Sequence, residues 1–320
     1  MAVACAAGAL GGVAHGAEAV APEATAVAVA PPATASPPPP PPYSIPWQLR
    51  PAAVASVVRS DSSVAFYDNA GASGSTVATM LLGSYAVTPH LAPLVRLGFV
   101  QNQAPGSAPD GSSFINPIVG LTYARRVGSL RWAAFAGGTI PVGAGSGDHP
   151  DAGVAAANTA GLQARSGMDN AMFAVNYFTG IVGGDLAYVD HRLTVQVEAT
   201  LFQLLRVHGD DAGSGSTDAA RTNSTVGLHV GYFLLPSLSV GGELRYQRWL
   251  STPTRIVMGA KVDIPSANRD TMTVAIGPRA HFAVGRGMFL RPGISYARAT
   301  DAPLSNMSYN MVQVDVPLVF

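Results

Sequence analysis

The sequence predicts an all-β fold: one antiparallel up-and-down transmembrane β-barrel of about 12 strands, behind a disordered Pro-rich N-terminal segment. Three observations carry it. Short stretches alternate apolar and polar residues with a period of two, the period of a strand. The connections between them alternate between tight turns and longer polar loops. Charged residues are 12% of the chain against 48% hydrophobic, with 35 Gly, and no run of roughly 18 apolar residues follows the N-terminus, so no helical span is expected.

Residues 1–16 are small and apolar, with Ala14 and Gly16 placed as in a signal-peptidase site before Ala17. A secretory signal is expected there, although no positive charge precedes it. Residues 17–50 read as a periplasmic linker, with the run from Ser36 to Tyr43 dominated by Pro; proline fixes φ and removes donors, which gives an extended spacer. Trp47 is expected at the membrane interface, where the spacer meets a barrel over 51–320. The single Cys5 permits no internal disulfide.

Strands are expected over 62–68, 74–88, 91–103, 114–126, 130–143, 172–189, 192–207, 222–234, 238–250, 270–284, 288–298 and 308–320. Tight turns join them near 89, 128, 191, 236 and 286, and polar loops cover 69–73, 104–113, 144–171, 208–221, 251–269 and 299–307. Such a two-ended pattern suits an even-stranded barrel. In 193–201, Leu193, Val195, Val197, Ala199 and Leu201 share one face, and Thr194, Gln196, Glu198 and Thr200 the other. The same division recurs in 95–99, 226–232, 238–249, 272–284 and 288–296. With the apolar face outward, the polar face lines the pore with Arg96, Asp185, Glu198, Glu243, Arg245, Arg279, His281, Arg291 and Asp315. An Arg turned to lipid near the midplane would cost roughly 2–4 kcal/mol. Tyr67, Tyr85, Trp132, Tyr188, Tyr232, Trp249 and Phe320 sit at strand ends, as in an interface girdle; packing in a soluble β-protein core is the alternative.

In the last stretch, Tyr309 to Phe320, Val312, Val314, Val316, Leu318 and Phe320 form one face. Met311, Gln313, Asp315 and Pro317 form the other. This stretch resembles the C-terminal strand of bacterial outer-membrane β-barrel proteins, which end on Phe or Trp after alternating apolar residues. The resemblance implies a Gram-negative outer membrane, outer-membrane lipid as surroundings, and a barrel assembly machinery that reads these five residues as a signal.

The expected work is porin-like passive passage of small solutes. A structural or surface-binding barrel with a blocked lumen is the alternative. Residues 152–167 are Ala-rich, and a short helix is expected with Asp151 near its start; it could narrow the pore or be a surface loop. A hydrolase at the outer rim is a further reading, on Asp148, His149 and Asp151 or His208, Asp210 and Asp211, but Asp and His in polar loops are ordinarily solvated turn residues. The chain has no Gly-x-Ser-x-Gly, phosphate loop, zinc spacing or ordered calcium-ligand pattern. No enzyme activity, cofactor or metal is expected, and zero net charge argues against a nucleic-acid partner.

Overall fold

The computed structural model describes residues 42–69, 71–209, 218–257, 260–285 and 287–320. The expected signal peptide, nearly all of the Pro-rich tract, and Asp210 and Asp211 lie outside the described residues.

Alternation turns into strands at β1 (Val57–Asn69), β2 (Ala72–Ser84), β3 (Leu91–Gln103), β4 (Gly111–Val127) and β5 (Leu130–Thr139). After α1 (Ala152–Ala164) and α2 (Asn170–Phe173) come β6 (Tyr177–Asp190), β7 (Leu193–Arg206), β8 (Ala220–Leu235) and β9 (Leu238–Trp249). A small hairpin, β10 (Thr254–Val257) and β11 (Ala260–Asp263), precedes β12 (Asp270–Ala280). A second hairpin, β13 (Phe282–Gly285) and β14 (Met288–Leu290), precedes β15 (Gly293–Ala299) and β16 (Asn310–Val319).

Successive wall strands pair in chain order from β1 to β9, then β12, β15 and β16, all antiparallel. Strand β16 returns to β1 in an unbroken register from Val57 opposite Val319 to Phe66 opposite Asn310. This pairing closes a 12-strand barrel and leaves no wall edge with unpaired N–H and C=O groups. Phe320 continues the closure by donating its N–H to the Ser56 carbonyl, 3.0 Å. No helix among the described residues is long and apolar enough to cross a membrane.

Along the walls, burial follows the expected faces. In β7, Thr194, Gln196, Glu198, Thr200, Phe202 and Leu204 are buried, while Leu193, Val197, Leu201 and Leu205 are exposed. The exposed set continues around the outside as Val95, Leu97, Phe99, Val182, Val226, Val274, Ile276, Ile294 and Val314. A closed barrel whose outer face is apolar and whose inner face carries the buried charges, beside an apolar cluster, is the inverse of a soluble sandwich.

Several boundaries differ from the alternation reading. Strand β1 begins at Val57, because residues 57–61 have partners on both sides, in β16 and β2. The β1–β2 connection spans only residues 70–71, so the expected loop over 69–73 is a tight turn. Residues 170–173 are helical and β6 starts at Tyr177, since the loop before it packs inside the barrel. Tyr67 and Trp249 are not girdle residues. Tyr67 points inward and donates to Asn102 Oδ1 at 2.9 Å, and Trp249 packs against the interior cluster. Tyr85, Trp132, Tyr188, Tyr232 and Phe320 are exposed as expected.

Candidate functional site: a charged interior holding two inserts

The barrel interior is occupied by two pieces of the same chain. The first is the segment 43–53, which enters at the end where β1 begins. Tyr43 and Ala52 cluster with Ala187 and Val189 at that end. Between them the chain turns back inside, with Leu49 reaching Gly227, well into β8. Trp47, expected at an interface, is instead 1% exposed inside the barrel.

Side chains of the wall satisfy this segment's backbone, as buried amides require. Glu243 accepts from the N–H groups of Trp47 and Gln48. Thr194 Oγ1 accepts from Ser44 N at 3.0 Å, and Glu198 Oε2 accepts from Arg50 N at 2.5 Å. Arg59 donates to the Trp47 and Pro46 carbonyls, and Gln196 Nε2 donates to the Arg50 carbonyl at 2.5 Å. The Tyr43 hydroxyl donates to Gln196 Oε1, and burial pushes that phenol well above its usual pKa.

The wall is also shaped for the segment. Inward-facing Gly227 and Gly231 carry no side chain where Leu49 and Ser44 sit; a Cβ at either position would overlap them. Gly183 likewise leaves space for the Arg50 guanidinium, since a Cβ there would lie 2.5 Å from Nη2. Side chains are missing from the wall where the insert supplies them.

The second insert is the 140–176 loop. The expected helix is α1, and Asp151 caps it, accepting from Gly153 N at 2.9 Å and Val154 N at 3.1 Å. Ala157, Ala164, Met172 and Phe173 pack with Met80, Val100 and Ile115 of the wall. Gly161 permits close approach, because a Cβ there would lie 2.7 Å from Val100 Cγ2. The loop therefore lies in the interior rather than over the surface.

Ion pairs tie both inserts to the wall. Arg165, just after α1, is fully buried. Its Nη2 lies 2.8 Å from Asp61 Oδ2, its Nε 2.8 Å from Asp169 Oδ2, and its Nη1 donates to Ser63 Oγ at 2.9 Å. Arg96 reaches Asp169 at 2.5 Å. Burial alone would raise the Asp169 carboxyl, but the Arg96 and Arg165 guanidiniums outweigh it and hold it below the usual carboxylate range. Asp315 bridges Arg59 at 2.6 Å and Arg279 at 2.5 Å. Glu243 pairs with Arg245 at 2.7 Å, and Arg245 donates to Gln313 Oε1 at 3.1 Å. Glu198 and Asp185 face Arg50 at 3.1 Å and 3.6 Å.

Of the nine side chains singled out from the sequence, Asp185, Glu198, Glu243, Arg245, Arg279 and Asp315 are buried inside and Arg96 is partly buried there. His281 and Arg291 lie at the end where β1 begins: His281 meets Ser239 Oγ at 2.9 Å, and the Arg291 guanidinium sits 5.4 Å from the Phe289 ring. Gln196, His229 and Gln313, on the polar faces of their stretches, are buried inside, whereas Arg50, Arg59, Asp61, Arg165 and Asp169 escaped sequence reasoning. Arg59 and Asp61 continue the inward alternation of β1 back from Ser63, a signal visible once the strand is extended. Arg165 and Asp169 are spaced i,i+4, the only cue they offered. At the loop end, Asp151 is engaged by the α1 cap and His208 Nε2 meets the Pro141 carbonyl at 3.1 Å. Among the described residues no group of three or more metal-ligating side chains converges.

No family model and no curated protein matches the sequence. In three dimensions the chain is similar to an outer membrane channel from Pseudomonas putida F1, at a TM-score of 0.54 and 14% identity over 87% of this chain and 100% of that one. Other solved structures similar to it are the KdgM porin in complex with disordered oligogalacturonate (TM-score 0.46, 10% identity, covering 82% of this chain and 99% of that one) and the NanC porin (0.46, 12%, 80% and 98%). At this level of identity the likeness to the channel shows the fold alone: the chain is a closed 12-strand antiparallel β-barrel.

Proposed function

We propose that this chain is a Gram-negative outer-membrane barrel for passage of small solutes, with its lumen narrowed by the 43–53 segment and the 140–176 loop. The observation that carries the reading is the inversion of faces: an apolar exterior closed around buried ion pairs. Outer-membrane lipid would surround Val182, Val197, Val226 and Ile276, and the barrel assembly machinery would read Val312, Val314, Val316, Leu318 and Phe320 on the outer face of β16. Arg96, Asp185, Glu198, Glu243, Arg245, Arg279, His281, Arg291 and Asp315 would line the route, their mixed signs leaving its selectivity to whichever pairs the inserts release.

A second reading, a structural or surface-binding barrel with a blocked lumen, is favoured by the complete burial of Arg165 and Arg245. Planar-bilayer recordings separate the two. A passage function predicts a small conductance for the full chain and a larger one after deletion of 43–53 or of 152–167. A folded barrel that carries no current in any of these forms supports the blocked reading.

A further inference from the structure

Among the described residues the wall sets buried acids directly opposite each other at two points: Asp61 of β1 faces Asp315 of β16, where Arg59, Arg165 and Arg279 neutralise them, and the second pair lies across β6 and β7. Asp185 of β6 and Glu198 of β7 are directly opposite in the ladder, both inward and both buried. Like charges at such a cross-strand position repel and destabilise the sheet unless a cation lies between them. Here the cation is Arg50, supplied by the N-terminal insert. Its Nη1 is 3.1 Å from Glu198 Oε1, its Nε 3.6 Å from Asp185 Oδ2, and its Nη2 donates to Thr200 Oγ1 at 2.7 Å.

Two independent features show that the wall receives a cation rather than merely containing acids. Phe135 of β5 presents its ring face, with the Arg50 Cζ 5.1 Å from its centroid, the geometry of a cation–π contact. Gly183, between Phe135 and Thr200 around the wall, has no side chain, and the guanidinium fills that space. Paired carboxylates, a hydroxyl, an aromatic platform and a vacated side-chain volume together form a receptor for a planar cation.

We propose that Asp185, Glu198, Thr200, Phe135 and Gly183 form a recognition site for small guanidinium- or ammonium-bearing solutes, and that Arg50 is its built-in occupant. The proposal rests on the passage reading for its use, since a solute reaching the site must displace the insert. It deepens that reading by naming cations as the favoured class. Removal of Arg50 leaves two wall carboxylates facing a gap fitted to a guanidinium.

The test is binding, measured without any passage. The full chain carrying Arg50→Gln, folded in detergent, is titrated with agmatine by calorimetry, and butanol serves as the uncharged control. Arg50→Gln should bind agmatine at least roughly tenfold more tightly than wild type or Arg50→Gln/Glu198→Gln, because it regains charge-assisted hydrogen bonds. Phe135→Leu in the Arg50→Gln background should weaken binding again. If Arg50→Gln does not fold unaided, agmatine present during refolding should restore the folded yield and butanol should not. A folded Arg50→Gln barrel that binds agmatine no better than the double variant, or an unfolded one that agmatine does not rescue, overturns the proposal. Conductance is not used, so loss of the passage reading would leave this result standing on its own.

Discussion

Replacing Arg165 tests how firmly the interior loop is held. Arg165→Met keeps most of the stem volume and removes the guanidinium. The charge lies wholly within the barrel, bonded to Asp61, Asp169 and Ser63. Breaking a buried pair by deleting one partner costs about 3–5 kcal/mol, because the other charge is left uncompensated. Here the remaining acids keep part of their support. Asp61 still accepts from Gln313 Nε2 at 2.6 Å, and Asp169 retains Arg96 at 2.5 Å. The lower end, about 3 kcal/mol, is therefore expected, a shift of roughly 150-fold in the unfolding equilibrium. Urea unfolding of detergent-folded protein, followed by tryptophan emission, measures it. Asp61→Asn should cost less alone, and the Asp61→Asn/Arg165→Met pair should cost less than the sum by more than about 1 kcal/mol, because the two residues share one interaction. A loss under about 1 kcal/mol for Arg165→Met, with additive behaviour in the pair, would refute the idea that this contact anchors the loop.

Three further outcomes follow from the same geometry. Gly227→Val places a side chain in the space of Leu49, so the 43–53 segment should leave its seat; tryptophan emission should shift red as Trp47 meets water, and conductance should rise. Val197→Arg on the exposed face of β7 should cost roughly 2–4 kcal/mol in lipid, whereas Gln203→Arg, nearer the loop end, should cost roughly 0–1 kcal/mol; equal costs would contradict a membrane around this face. In the 207–219 loop, partial burial alone would raise the Asp218 carboxyl, but the Thr254 N–H and hydroxyl and the Arg221 guanidinium outweigh it and set it below the usual range. A folded value below the unfolded one stabilises this clamp above the ordinary carboxylate range, and the stabilisation is lost as pH falls through the folded value. The protection factor of the Thr254 amide, its exchange rate relative to the intrinsic rate at each pH, should therefore fall on acidification, and Asp218→Asn should abolish this pH dependence.

The walls were legible because a strand in a closed barrel repeats one decision along its length: one face outward, one inward. Within β7 alone, Leu193, Val195, Val197, Ala199 and Leu201 display that decision five times over. Seven of the nine titratable residues read from this alternation lie inside, and His281 and Arg291 lie at the end where β1 begins; alternation places a side chain on a face without naming its partner. The contents of the interior left no period to read. Residues 43–50 follow a Pro-rich tract, contain Pro46 and show no strand alternation, so they read as the end of the spacer, and only tertiary contacts such as Glu243 with the amides of Trp47 and Gln48 mark them as part of the barrel interior. The position of Trp47 was hidden for the same reason: an aromatic beside a membrane segment suits an interface and an interior equally well by type.

Strand number explains why inserts are needed. A barrel of about eight strands is filled by its own side chains, and one of about sixteen holds an open channel. Twelve strands fall between these two cases, and here wall-to-wall pairs such as Arg279 with Asp315 fill one part of the middle while the inserts fill another. The wall answers with long inward groups, Arg59, Arg96, Arg245, Arg279 and Glu243, and with gaps at Gly183, Gly227 and Gly231. Long groups alone would leave buried charge unpaired, and gaps alone would leave voids. The two inserts resolve both demands, because Arg50 and Arg165 bring cations to Asp185, Glu198 and Asp61 while Leu49, Ser44 and the α1 alanines occupy the space. On the passage reading proposed above, a route would open by moving an insert away from a charge it neutralises, which would link the size of the opening to the sign of the solute that replaces it.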